Sequence, residues 1–259
     1  MSTEVTTELI KKLRDSTGVS IMQCKNALEE AGGDMNKALA ILKKTSSDIA
    51  LKKAGRVAKE GRVCIKTDNN KSVLVALHSE TDFVSKNEDF VNLLSNLVDI
   101  VINEGIEKMK ERSKSMIDLV IQKTGEKIEL GDIYEVKGDV VGNYVHNNKL
   151  GCIVSLDGGS VTLAKDIAMH ITAMKPEYIS QDEINDEMKN TMQEIFQKEI
   201  AGINKPEEIK KKMLEGKIST YFKEKTLLNQ VFIKDLSETV GWLLEKSKAK
   251  IKEVKRYFI

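Results

Sequence analysis

Hydrophobic and polar positions alternate in three regimes along the chain. From Val5 to Leu42 the period is helical and the runs are short. Val5, Leu9, Ile10 and Leu13 share one face, and Thr17-Gly18 ends that run. Ser20 is placed to cap a second helix striped by Ile21, Cys24, Ala27, Leu28 and Ala31. Gly32-Gly33 ends it, and Asp34 can cap a third helix carrying Met35, Ala38, Leu39 and Leu42. Three short helices around a small apolar core make a compact module of the kind that binds another protein or simply folds on its own chain.

The second regime is a hairpin followed by a helix, and it occurs twice. Residues 62–66 and 73–77 flank the turn Asp68-Asn69-Asn70-Lys71. Phe90, Leu93, Leu94, Leu97, Val98 and Val101 follow at helical spacing up to Gly105, and another helix runs around Met116 to Gln122 and stops at Thr124-Gly125. Strand-like runs then come at 133–136, 140–145 and 150–156, with turns at Asn147-Asn148 and Asp157-Gly158-Gly159. A helix from Val161 to Met174 stops before Pro176. The third regime, 180–229, has thin apolar seams in highly charged sequence. Ser180 is placed as a cap, with Asp182 and Glu183 in the first turn. Ile184, Met188, Met192, Ile195 and Phe196 lead to a break at Gly202, and Pro206 opens a run with Ile209, Met213 and Phe222. This predicts an antiparallel coiled-coil hairpin. The tail from Ile251 to Ile259 reads as an edge strand. The class predicted is α+β.

Composition narrows the chemistry. Lys and Arg number 41 against 40 Asp and Glu, a net charge of +1, so bulk charge does not make a nucleic-acid or membrane binder. Aromatic residues are 5% of the chain, which disfavours a base-stacking platform. Lys43, Lys44, Lys52, Lys53, Arg56, Lys59 and Arg62 face only Asp48 and Glu60, which suggests a solvated linker helix or a contact with an acidic partner or nucleic acid. Cys24, Cys64 and Cys152 form no paired motif, and no run of eighteen apolar residues or leader-like N-terminus is present. A cytoplasmic protein is expected. No phosphate loop, dinucleotide fingerprint, zinc helix or nucleophile elbow occurs. His78, His146 and His170 are dispersed, and Cys152 lies in a β run where a small buried hydrophobe fits. No catalytic residue, metal ligand or cofactor is expected.

One segment stands out, Ser79-Glu80-Thr81-Asp82-Phe83-Val84-Ser85, between a strand and the Phe90 helix. Ser85 and Glu88 have capping-box spacing, which predicts a helix start at Lys86 and leaves Phe83 in the turn. A hydrophobic staple would pair Val84 with Asp89, which is not apolar. An aromatic beside a carboxylate at such a tip is suited to wedge into a partner's groove.

At these residues the chain resembles the bacterial elongation factor Ts family, the guanine-nucleotide exchange factors of elongation factor Tu. The similar blocks run in order along nearly the whole chain: 13–18 and 22–28, 52–58 with Glu60-Gly61, Thr81-Asp82-Phe83-Val84, 138–146 and 167–171. The resemblance implies a ubiquitin-associated-like three-helix domain at 1–50, a basic linker at 51–61 and a core of two similar α+β subdomains. The first core subdomain would span 62–139 and the second 140–179 with 230–259. The inserted coiled-coil hairpin would span 180–229. It also implies a translation elongation factor, not an enzyme, that binds elongation factor Tu with GDP and promotes exchange near its Mg²⁺ and switch regions. Thr81, Asp82, Phe83 and Val84 would act at the magnesium site, and Arg14, Ile21, Met22, Thr124, Gly125 and His146 would touch the partner elsewhere. Thr124 stands where the family commonly has an apolar residue, and Asn147-Asn148 where it often has small ones. The competing readings are a ubiquitin or chaperone adaptor using 1–50, a hydrolase using Cys152 or His146, and an RNA-binding factor using the basic stretch. The balanced charge and absent motifs argue against the last two, and neither direct nucleotide binding nor a membrane is expected.

Overall fold

The computed structural model describes residues 5–259. It is α+β, and the chain divides into two compact units. The first runs through Glu135 and also holds Val145–Gly151 and Tyr257–Ile259. The second holds Val136–Tyr144 and Cys152–Arg256.

The first unit opens with helices α1 (Thr7–Thr17), α2 (Ile21–Glu30) and α3 (Met35–Lys53). Gly18 closes α1 in the left-handed region, where a residue without Cβ is unstrained. Ser20 caps α2 in a full capping box with Gln23, worth about 1 kcal/mol, and Asp34 caps α3 through the Asn36 and Lys37 amides. Leu13, Val19, Cys24, Ala27, Leu28, Ala38 and Leu42 form the core between them. Helix α3 is longer than its apolar stripe predicts and continues into the basic stretch as far as Lys53. Ile49 and Ala50 explain this: they pack on the next core, and Ser47 Oγ donates to Asp118 at 2.8 Å. One half of α3 thus closes the small helical core and the other half joins a larger one.

That larger core lies under a three-stranded sheet of order β1 (Glu60–Asp68), β2 (Lys71–Ser79), β3 (Ile128–Lys137). β1 and β2 pair antiparallel, with Glu60 opposite Ser79 and Asp68 opposite Lys71, and Asn69 takes positive φ in the turn. Two helices cover the sheet, α5 (Glu88–Glu104) and α6 (Ile106–Thr124). Phe90, Leu97, Val98 and Met109 are fully buried there, each contributing roughly 1.5–3 kcal/mol. The predicted Ser85 capping box does not form. A separate helical turn, α4 (Asp82–Lys86), precedes α5, Ser85 is buried with its hydroxyl on the Asp82 carbonyl, and Asn87 caps α5 through the Asp89 amide. Phe83 therefore sits on a helix and not in a loop.

The second unit contains most of a sheet of order β4 (Val140–His146), β5 (Leu150–Asp157), β8 (Lys250–Phe258), whose residues 145–146, 150–151 and 257–258 belong to the first unit, with α7 (Val161–Met174) and α10 (Val240–Lys246). β8 is an edge strand, as the alternation of the tail predicts. Cys152, Val154, Ile167, Ile171 and Val240 build its core. Burial pushes the Cys152 thiol up to about 12, which makes it a packing residue and not a nucleophile. Buried His170 accepts the Ile233 N–H at Nδ1 (3.3 Å), so its proton lies on Nε2 and is donated to Gln230 Oε1 (2.9 Å). Burial holds its pKa below the ordinary value of 6.5.

Two long helices, α8 (Asp186–Ala201) and α9 (Glu207–Lys225), pack side by side. Phe196 meets Tyr221 edge to face at 5.8 Å, and Lys217 pairs with Glu199 at 2.8 Å, which makes the pair antiparallel. The helix expected after Ser180 does not start there. Residues Gln181–Glu183 form a single 3₁₀ turn, Glu183 turns back to accept the Ile179 N–H at 2.7 Å, and buried Ile184 is extended. Asn185 then caps α8. Pro206 lies just before α9 and not within it. A short β6 (Val231–Phe232) and β7 (Asp235–Thr239) hairpin leads into α10.

Candidate partner-binding site

The candidate residues all fall in the first unit. Thr81 caps α4 in extended conformation (φ −124°, ψ 159°), and its hydroxyl accepts the Val84 N–H at 3.4 Å. Val84 and Ser85 turn inward and are buried, and Phe83 turns out with 81% of its surface exposed. No other large apolar side chain among the described residues is more exposed. An isolated five-residue helix is not stable in water, so external contacts must hold this one. They come from both sides. Ser79 Oγ donates to the Thr81 carbonyl at 2.8 Å, while Glu126 accepts the Thr81 N–H at 3.0 Å and the Thr81 hydroxyl at 2.7 Å. Asp82 is paired with Lys86 at 2.7 Å. That bond holds the Asp82 carboxyl below its usual range, and the nearby positive charge of Lys149 adds to the effect.

Glu126 follows directly on Thr124-Gly125, so the fold brings two of the predicted segments together. Thr124 spends its hydroxyl on the Val120 carbonyl at 2.9 Å, and Gly125 ends α6 at φ +74° with its N–H on Ile121. Lys53, from the end of α3, donates to the Gly125 carbonyl. Glu80 accepts the Lys127 N–H at 2.6 Å and pairs with Arg56 at 3.3 Å. The Lys127 amide is the main reason its carboxyl lies below the usual range. Lys53 and Arg56 of the basic stretch are thus employed within the chain.

The other candidates approach the same end of the unit. Lys123, in the last turn of α6, bonds Asp89 at 2.7 Å, and a methyl group on Gly18 would come within 2.6 Å of its Nζ. Gly18 therefore lies against α6, with exposed Arg14 four residues before it. Ile21 (56% exposed) and Met22 (64%) form the first turn of α2 just after it. His146 is exposed at the end of β4. Asn147 and Asn148 follow at φ 50° and 57°, the left-handed region that Asn tolerates, so the tight turn closes with Lys149 N–H on the His146 carbonyl at 3.0 Å. Lys149 pairs with Glu60 and lies near enough to Asp82 to lower its pKa. Glu80 and Glu126 were not candidates from the sequence. A polar pair directly flanking the Gly125 helix stop and the Thr81 cap was the available signal, but carboxylates are too common here for it to stand out.

The arrangement presents exposed apolar side chains on backbone held by charge-assisted hydrogen bonds. Among the described residues no group of three or more His, Cys, Asp or Glu side chains could hold a metal, and no helix is long and apolar enough to cross a membrane. The family model described as Elongation factor TS matches residues 80–259. Elongation factor Ts of Hahella chejuensis is 38% identical over 260 residues, covering 98% of this chain and 91% of that protein. Elongation factor Ts of Pseudomonas fluorescens (strain Pf0-1) is 38% identical over 254 residues, with 95% and 88% covered. That of Pseudomonas aeruginosa PAO1 is 37% identical over 264 residues, with 98% and 90% covered. Because the likeness runs through both units, the chain belongs to the elongation factor Ts family of translation elongation factors.

Proposed function

We propose that this protein binds elongation factor Tu carrying GDP and accelerates release of the nucleotide, without side-chain catalysis or nucleotide binding of its own. The observation that carries the reading is Phe83, 81% exposed on a helical turn whose capping residue Thr81 is held by both Ser79 and Glu126. Leaving that ring in water is unfavourable for the free protein, and a partner's apolar cleft would recover the burial. Phe83 acts as a wedge between partner helices, and Asp82 beside it disturbs the groups that hold Mg²⁺. Arg14, Ile21 and Met22 dock the N-terminal helices, while Thr124, Gly125 and His146 extend the contact.

Linkage then does the work. A wedge that binds only the displaced arrangement of phosphate loop and switch regions weakens nucleotide binding by the factor by which nucleotide weakens the wedge. A coupling of about 3 kcal/mol corresponds to roughly 150-fold in nucleotide affinity. GDP leaves, GTP enters, and the exchange factor dissociates. Within this reading α1–α3 are a ubiquitin-associated-like docking domain at 1–50, followed by a linker at 51–61 and core subdomains at 62–139 and at 140–179 with 230–259. The α8–α9 pair is a coiled-coil hairpin inserted at 180–229, and the setting is cytoplasmic.

The test is release of fluorescent GDP from elongation factor Tu of the same organism, chased with excess GDP. The wild-type chain should accelerate release strongly. A folded wild-type chain that leaves the rate unchanged would sink the reading.

A further inference from the structure

Thr81 holds the Phe83 turn in place, yet what orients Thr81 lies 45 residues away in sequence. Its hydroxyl has one proton. Because that proton is donated to Glu126 Oε1 at 2.7 Å, a lone pair is left facing the Val84 N–H, and the cap forms. The second carboxylate oxygen takes the Thr81 N–H, which has no partner within the helix. Glu80 reaches the opposite way to the Lys127 N–H. Three hydrogen bonds to ionised carboxylates therefore join residues 80–81 to 126–127, and such bonds are the stronger kind.

We infer that Glu126 is a positioning residue for Phe83, and that the Glu80–Glu126 exchange of carboxylates makes the Thr81–Val84 turn and the Thr124-Gly125 segment a single rigid docking edge. The inference deepens the exchange reading and rests on it. Phe83 is mostly exposed, so its direction comes from the α4 backbone, and that backbone depends on the Thr81 cap. Without Glu126 the five-residue helix frays, and ordering it is left to the moment of binding. Ile21 and Met22 stand on α2, a separate element from this clasp, so docking there persists while the wedge loses its aim. The loss should fall on the maximal rate of GDP release and not on the concentration of factor giving half that rate.

The experiment uses the full chain in three forms: wild type, Glu126→Ala and Glu126→Gln. Glutamine can still accept the Thr81 N–H through Oε1 and, with the second bond reversed, donate through Nε2 to one hydroxyl lone pair while the other still faces the Val84 N–H, so it keeps both links and removes the charge. Glu126→Ala should lower the maximal rate about tenfold with little change in half-saturation, and Glu126→Gln should stay within about threefold of wild type. Amide hydrogen exchange on the free proteins gives a second readout. Thr81 and Val84 amides should lose about tenfold protection in Glu126→Ala and keep it in Glu126→Gln, with Phe90 and Leu94 in α5 unchanged. Should Glu126→Ala disturb α5 as well, Thr81→Val removes the same hydroxyl with little change of shape and should show the same selective loss. Wild-type rate and protection in Glu126→Ala, or a glutamine variant as poor as alanine, would overturn the inference. If the wild-type chain fails to release GDP, it is the exchange reading that fails, and the amide pattern still decides whether Glu126 positions the turn.

Discussion

A strand passes into a helix after β2 and again after β5, and the two connections are built on different principles. After β5 the link is minimal. Gly158 and Gly159 take φ of +78° and +77°, Ser160 caps at once, and α7 begins at Val161. The turn is pressed so close that a Cβ on Gly158 would lie 2.4 Å from the Lys248 carbonyl oxygen. After β2 there is no glycine. The chain inserts α4 between the strand and the main helix, and long-range carboxylates hold it. A direct connection needs only permissive backbone and a cap. Displaying a large apolar side chain at the same place needs a short helix that cannot stand alone, and therefore anchors from elsewhere. The exposed residue at the second connection is Val161, 57% exposed and at the very start of a long helix.

The comparison can be broken most sharply at the two exposed residues. Phe83→Ala should bring GDP release from elongation factor Tu down by about a hundredfold, within the coupling range expected for such a device. Its own denaturation midpoint should hardly move, because the ring is not part of the core. Val161→Ala should leave release within twofold of wild type. Equal losses in the two variants would mean that the two connections are equivalent. Next in size, Gly158→Ala forces a side chain into positive φ and against a backbone oxygen, and should cost about 2 kcal/mol or more in urea unfolding. No substitution at Thr81 faces that steric constraint, since its backbone is extended.

A smaller effect concerns acid. His170 has a folded pKa below 6.5, so the folded state rejects a proton that the unfolded chain accepts, and stability is lost as pH falls below 6.5. Protonated Nδ1 would also face the Ile233 N–H donor. Urea midpoints at pH 7.5 and 5.5 should differ less in His170→Gln than in wild type, and an unchanged difference would remove His170 as the cause. Smallest is Asp82→Asn. Its ion pair with Lys86 is exposed and screened by solvent, so the urea midpoint should hardly move, while GDP release slows a few-fold. If stability fell and release did not, Asp82 would be a structural residue of α4 and nothing more.

How far the sequence reveals this depends on the range of the forces involved. Ser20 and Asp34 announce their helices because capping acts over three residues, and the Phe90 helix announces itself through seventeen residues of apolar period. The full length of α6 was hidden because its first half is charged around buried Met109 and Ser113, and α3 was cut short because its second half packs on a different core. Helix α4 is shorter than two turns and has no period to read, so local capping rules favoured the wrong residue, Ser85. The Thr81–Val84 segment drew notice through its chemistry and its family resemblance. Glu80 lies within the segment that stands out, but its bond to Lys127 and the bonds of Glu126 to Thr81 do not show, because bonds across 45 to 47 residues leave no trace in spacing.

Tyr257 belongs to the first unit although nearly everything else in that unit precedes Glu135. Its hydroxyl bonds His78 Nε2 at 2.7 Å, one residue before Ser79, which supports the Thr81 carbonyl. On the ribosome, at about 5–20 residues per second, Tyr257 is made several seconds or more after Glu135. A growing chain can therefore complete the sheet β1–β3 and the Phe83 turn while His78 still awaits its tyrosine. The Thr81–Val84 turn is thus made long before Tyr257, and the His78–Tyr257 bond is among the last contacts of this unit that a growing chain can form.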